Sequence, residues 1–463
     1  LDRAVRALVS GAGPGGDLAG CHPGELEAAR QLLSEPAGQT VVVLGRPSLA
    51  ESPVPTEEAA RQLFAALPGA RFLPALPRAN VHGALDLGWA PGLLPGRVAL
   101  EQGRTWFNRA WGPGSVPTAP GLDAQGMLRA AAEGRLHLLV LVGADPLADF
   151  PDRRLATEAL ERVESVIVVD GLLNESAQRA DVVLPAALYA ERPGTTTNVE
   201  GRVSRLGQKV VAPGLAWPDW MVASELAARL GGELDLASYE GIWDEIEKLS
   251  PVHAGLTLEL LGSEPGHDGV VVPLPATRVS LSPPAPIDPI ATPGIDSVER
   301  QGAASLAGAA RPPGASLGEP APGTSAARPQ MLRLEPQSAP QAEADRPAGG
   351  GDGPERPGEL RLVSQRRLYD RGTLVSACPS LAPLAGETVV RAHPEELARA
   401  GVAPGTRARV SSPTGEVVIR AVADGSMPPG VAEVPFNLAG PRASELIDSS
   451  RTYVTVRLEP AGG

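Results

Sequence analysis

The strongest constraint in this chain is a series of short apolar runs separated by amphipathic segments. LHLLVLVGA (136–144), SVIVVDG (165–171) and DVVLP (181–185) are runs of this kind, as are TVVVLG (40–45) and ARFLPAL (70–76). Between them ELEAARQLLSE (25–35), TEEAARQLFAAL (56–67), MLRAAAEGR (127–135) and DRRLATEALERV (152–163) place apolar residues at helical spacing. Thr56 opens the second of these as a cap. A strand without polar alternation has no face suited to water. The pattern therefore predicts an α/β domain over residues 1–260, its parallel strands covered on both faces by helices. WPDWMVASELAARLG (217–231) closes it as a helix, and the Gly- and Pro-punctuated ANVHGALDLGWAPGLLPGRV (79–98) interrupts it. The opening LDRAVRALVSG reads as the inside of a helix, so further sequence is expected upstream.

The character changes over residues 279–358, where SPPAPIDPIATPG and RPAGGGDGPERPG carry Pro, Ala, Gly and Ser without periodicity. Such a segment buries too little apolar surface to offset its ordering entropy and is expected to be a disordered linker. Its root-mean-square span would be roughly 50 Å. From 359 to 463 short alternating strands return: RLVSQRRLYD (361–370), ETVVRA (387–392), TRARVSS (406–412), GEVVIRAVAD (415–424) and VAEVPFN (431–437). PTG (413–415) makes a hairpin turn, and HPEELARAG (393–401) is a lone short helix. This part is expected to form a small β-barrel.

At 463 residues the chain is too long for one ordinary core. A net charge of −13 argues against nucleic acid as a partner, since little would neutralise a row of phosphates. Cys21 and Cys378 are its two cysteines, too few for an iron–sulfur cluster and too far apart in sequence for a disulfide framework. The six histidines lack metal-ligand spacing. No run nears the roughly 18 apolar residues that would cross a membrane, so no direct insertion is expected.

LVGADPLADFPD, followed by VIVVDGLLNESAQRADVVLPAALYAERPGTTTNVEGRV, resembles the dinucleotide-like domain of the molybdopterin oxidoreductase superfamily. ETVVRAHPEELARAGVAPGTRARVSSPTGEV is similar to that superfamily's C-terminal double-psi barrel. More narrowly, ANVHGALDLGWAPGLLPG and RRLYDRGTLVSACPSLAPL look like the family of G-type large peripheral subunits of bacterial NADH-quinone oxidoreductase, respiratory complex I. The resemblance implies a C-terminal structural portion of the large peripheral-arm subunit, N-terminally incomplete, serving electron transfer from NADH to quinone. Iron–sulfur clusters would lie in the N-terminal part outside this chain, with no cofactor in the chain itself. Its partners would be other peripheral-arm subunits at the cytoplasmic face of the membrane. The alternatives are a molybdenum bis-pterin enzyme such as a formate dehydrogenase, which would hold molybdopterin, and a free-standing scaffold reusing the fold.

The same resemblance marks a vestigial pterin cleft at Gly143, Asp145, Asp170, Thr195, Asn198 and Gly201. Gly143 and Asp145 follow a parallel strand, where the crevice of an open sheet lies. Asp145 stands where the molybdenum enzymes usually have Asn, and a carboxylate repels a pyrophosphate; it reads better as a turn capping the next helix. Asp170 suits a ribose or a guanine edge, and also suits a turn before LLNESAQ. Thr195, Asn198 and Gly201 belong to a polar loop that either lines the cleft or satisfies its own backbone. The expectation is that this loop holds the cleft shut, and that Glu200 and Arg202 form a solvated pair. His393, before Pro394, reads as a helix cap.

Overall fold

The computed structural model describes residues 2–10, 23–34, 38–46, 48–232, 234, 236–262, 268–274 and 358–462. Apart from Gly358, the linker expected over 279–358 lies outside the described residues, as do Cys21, His22 and His267.

The first part contains helices α1 (Asp2–Ser10), α2 (Pro23–Ser34) and α3 (Val54–Ala66), with strands β1 (Val41–Leu44) and β2 (Arg71–Pro74) paired in parallel through the α3 crossover. Phe64 of α3 meets Phe72 of β2 with ring centroids 5.4 Å apart, so α3 covers one face. On the other face Val41 and Val43 are 54% and 63% exposed. The interrupted stretch forms α4 (Val81–Asp86) and a two-stranded pair, β3 (Leu93–Leu94) and β4 (Val98–Ala99), before α5 (Leu100–Trp111). Gly96, with φ +87°, lies against the Pro251 ring, where a Cβ would collide. The carboxylate of buried Asp86 pairs with Arg97 at 2.5 Å.

The central sheet follows. α6 (Ala124–Ala132) leads to β5 (Leu138–Val142), then α7 (Pro146–Asp149), α8 (Arg153–Arg162), β6 (Ser165–Asp170) and β7 (Val182–Pro185). The order is β5-β6-β7, all parallel. Leu139, Leu141, Val166 and Val168 pack against Leu128, Ala156 and Leu160 of α6 and α8. A hairpin of β8 (Gly194–Thr197) and β9 (Arg202–Leu206) comes next, then α9 (Asp219–Arg229), α10 (Tyr239–Leu249), α11 (Leu258–Gly262) and β10 (Val270–Val271), which pairs with β9. Val222 and Leu226 of α9 cover Val169 and Leu184.

Two sequence expectations are corrected here. The parallel sheet is not covered on both faces: Leu138, Val140 and Val142 of β5 and Val182 of β7 are 49%, 46%, 37% and 45% exposed, because α9 reaches only β6 and β7. The stretch at 194–201, read as a polar loop, is part of a β-hairpin over 194–206, and its threonine run is a strand.

The last part is a closed barrel of six strands: β11 (Glu359–Val363), β12 (Val389–Ala392), β13 (Arg407–Ser411), β14 (Glu416–Ala423), β15 (Val431–Glu433) and β16 (Thr455–Pro460). Around the barrel they run β11-β15-β12-β14-β13-β16, mixing parallel and antiparallel pairs. The strand expected over 361–370 ends at Val363, beyond which Arg366 and Arg367 turn to Asp149 and Glu433. His393 caps the helix Pro394–Arg399, its Nδ1 accepting from the Glu395 amide. The barrel also takes in a segment of the first part. Leu49 N donates to Ser364 O at 2.7 Å and Val454 N to Ala50 O at 3.2 Å, placing Ala50, 2% exposed, in the barrel core.

Candidate functional site

The C-terminal ends of β5 and β6 face barrel loops across a cleft of about 490 Å³, the position where an open parallel sheet presents its crevice. Asp145, Asn174 and Glu175 line it from the sheet side; Arg371, Asn437 and Arg442 line it from the barrel side.

The sheet side is tied to itself. Asp145, 6% exposed, accepts from Ser176 Oγ at 2.5 Å and Ser176 N at 3.3 Å. It occupies the N-cap position of α7 without a side-chain cap bond, so the capping role expected for it is replaced by this cross-link. Ser176 Oγ in turn accepts from Leu147 N at 3.3 Å. Asp170 accepts from Leu172 N at 3.1 Å and Asn174 Nδ2 at 2.9 Å, the bonds of a turn residue.

Three carboxylates beside the cleft, Glu175, Asp149 and Asp152, contact the barrel. Glu175 accepts from Arg153 within the α/β part and from Arg442 of the barrel, the latter at 2.9 Å. Both guanidiniums also donate to Leu147 O, Arg442 at 3.2 Å. Burial acts to raise the Glu175 pKa, but the hydrogen bonds and positive charge of Arg153 and Arg442 outweigh it and hold the carboxyl below its usual range. Asp149 is shared by Arg78 at 3.0 Å and by Arg366 at 2.8 Å, and Arg366 also pairs with Asp370. Asp152, 2% exposed, caps α8 with one oxygen and accepts from Ser449 N and Oγ with the other, at 3.0 and 3.1 Å. Arg371 has no carboxylate partner among the described residues, and Asn437 Nδ2 is buried without a hydrogen-bond partner.

The six sequence-marked residues do not converge. Asp145 lines the cleft; Gly143 and Asp170 stand on the adjoining strand ends, and Thr195, Asn198 and Gly201 lie in the β8–β9 hairpin, away from the lining. That hairpin does not close the cleft. Thr197 N donates to Asn80 Oδ1 at 2.9 Å, Asn198 Oδ1 accepts from Glu200 N and Arg202 N, and Gly201 O accepts from Val272 N. Glu200 and Arg202 pair at 3.3 Å in an exposed position. Sequence reading missed Arg371, Asn437 and Arg442. They lie more than 190 residues beyond Glu175, and no local motif signals which barrel loop meets which strand end.

Among the described residues, no three His, Cys, Asp or Glu side chains gather closely enough to hold a metal ion, and no helix is long and apolar enough to cross a membrane.

Residues 48–229 match the molybdopterin oxidoreductase family and residues 360–456 the molydopterin dinucleotide binding domain. The G 2 subunit of NADH-quinone oxidoreductase from Rhizobium meliloti is 38% identical over 225 residues, 46% of this chain and 26% of that protein. NADPH-Fe(3+) oxidoreductase subunit alpha of Geobacter sulfurreducens is 35% identical over 215 residues, 46% of this chain and 25% of that protein. A formate dehydrogenase 2 subunit alpha of Methanococcus maripaludis is 30% identical over 396 residues, 85% of this chain and 52% of that protein. The chain thus spans between a quarter and about half the length of these relatives. Acetylene hydratase from Pelobacter acetylenicus shares the fold, with a TM-score of 0.52 at 17% identity over 96% of this chain and 63% of the hydratase.

Proposed function

From a chain that belongs to the molybdopterin oxidoreductase superfamily by both of its matched domains, we propose the C-terminal structural portion of an NADH-quinone oxidoreductase large peripheral-arm subunit. In this reading the division into residues 1–260 and 359–463 separates a sheet domain from a barrel domain that packs on it. Electrons pass from NADH to quinone through clusters held elsewhere in the subunit, at the cytoplasmic face of the membrane. This portion shapes the arm and contacts its neighbouring subunits.

The observation that carries this is the state of the cleft. A pterin guanine dinucleotide presents a pyrophosphate, which needs unpaired cationic or amide donors. Of the two arginines that line the cleft, Arg442 already shares Glu175 with Arg153, while Arg371 has no carboxylate partner among the described residues. Asp145 adds a second carboxylate to the lining. What supports the structural reading is this pair of carboxylates, Asp145 and Glu175, facing the place a pyrophosphate would take, and no chemical step is assigned to the dinucleotide.

The second reading is a molybdenum enzyme of formate dehydrogenase type. The unpaired Asn437 amide, the exposed Arg371 and the formate dehydrogenase relatives favour it. Elemental analysis of the chain, purified from a host that makes molybdenum cofactor, separates the two. The structural reading expects no molybdenum or tungsten. Either metal at about one atom per chain would replace it with the second reading.

A further inference from the structure

We propose that Glu175 serves as the cleft's own anion: it holds Arg442 of the barrel and Arg153 of the sheet domain together and latches the two parts across the cleft. This deepens the structural reading above and rests on it.

The geometry places the carboxylate between two guanidiniums from the two parts of the chain. Arg153 projects from the start of α8 and Arg442 from a barrel loop, and each oxygen of Glu175 receives at least one N–H. The two arginines also converge on one backbone carbonyl, that of Leu147. Two cations on a single carbonyl repel each other, so Glu175 is what allows them to share it. The arrangement is only part-exposed: the Arg153, Glu175 and Arg442 side chains keep 20%, 31% and 32% of their surface. A charge-assisted bond at that depth is stronger than a rim pair. The Asp149–Arg366 pair repeats the pattern on the same interface, again with an α/β carboxylate and a barrel arginine. Asp152 with Ser449 is a third contact, made without a cation. At the cleft the barrel is thus held by clustered carboxylates, apart from its backbone contacts with residues 49 and 50.

The test is hydrogen exchange on the full chain, comparing the native sequence with Glu175→Gln. The amide keeps the shape and removes the charge that holds two arginines. Expected is faster exchange confined to the two walls, 145–149 and 173–178 on one side and 437–442 on the other. The increase should be on the order of tenfold, as for losing charge-assisted hydrogen bonds. Exchange within β13 and β14 should not change. Raising salt should loosen the same walls more in the native chain than in the variant, which still keeps the Asp149–Arg366 pair there. Arg442→Gln should loosen them equally, and combining it with Glu175→Gln should add little, since both remove one contact. Unchanged exchange in Glu175→Gln, or loss spread evenly through the barrel, would overturn the latch. A diphosphate arm gives an independent check, with guanosine diphosphate as the probe. Protection of the cleft by millimolar guanosine diphosphate that persists in an Arg371→Gln chain would mean that Arg153 and Arg442 are available to an outside anion, and would also overturn it. Neither outcome depends on the metal content that tests the function itself.

Discussion

In the barrel, β14 turns Val417, Ile419 and Ala421 inward and leaves Glu416 and Arg420 to solvent. In the central sheet, β5 turns Leu139 and Leu141 onto α6 and α8, but its outward residues are Leu138, Val140 and Val142. A closed sheet supplies its own second wall, so each barrel strand needs one apolar face only. An open parallel sheet needs a layer on each side, and the described residues supply one and a half. The apolar outer face of β5, like Val41 and Val43 of β1, has the composition of a surface that packs against further polypeptide. That agrees with the proposed place of this chain in a larger assembly.

The comparison breaks if the barrel proves self-sufficient. Ala50→Asp tests this with the largest expected effect. It puts a carboxylate from the α/β side into the barrel core, where Ala50 is 2% exposed. An uncompensated charge there should cost about 3–5 kcal/mol, measured by urea denaturation. A loss under about 1 kcal/mol would mean that residues 48–52 are a loose attachment.

Acid should sharpen the contrast from the other side. His253, 2% exposed, sits edge-on to Trp243 at 5.7 Å and shares a hydrogen bond with Ser250 at 2.8 Å. Burial, with Arg97 nearby, lowers its pKa from 6.5 to about 4. Between those values the unfolded chain binds a proton that the native chain refuses, so stability falls as pH drops from 6.5 and levels off below 4. The loss should approach roughly 3 kcal/mol. It should appear as earlier melting of the α/β part, and His253→Gln should flatten that slope. An equally steep slope in the variant would assign the acid loss to other groups.

The smallest effects compare the two faces of the sheet. Val168→Ala, fully buried under α8, should cost about 2 kcal/mol or more, and Val140→Ala, 46% exposed, a few tenths in this chain by itself. Equal costs would mean that the outer face of β5 is covered after all.

Much of this architecture was legible because it is written in local periodicity. Unbroken apolar runs gave the parallel strands, alternation gave the barrel strands, and His393-Pro394 gave a cap that the structure contains. The hairpin at 194–206 was obscured because Thr, Asn and Gly serve turns and strands alike. The candidate site was the least legible part. Asp145 was found through its place after a strand, but its partner Ser176 lies 31 residues away, and Arg442 lies 267 residues from Glu175.

The sequence by itself therefore determined most of the element types, the acidic net charge and the contrast between parallel-sheet strands and barrel strands. These follow from short-range patterns of burial and from composition. Only the tertiary structure decided which face of β5 stays bare, that Ala50 belongs to the barrel core, and that Glu175 faces two arginines. Those depend on which distant segments meet, and ion pairs and core contacts between them carry no periodic signature along the chain.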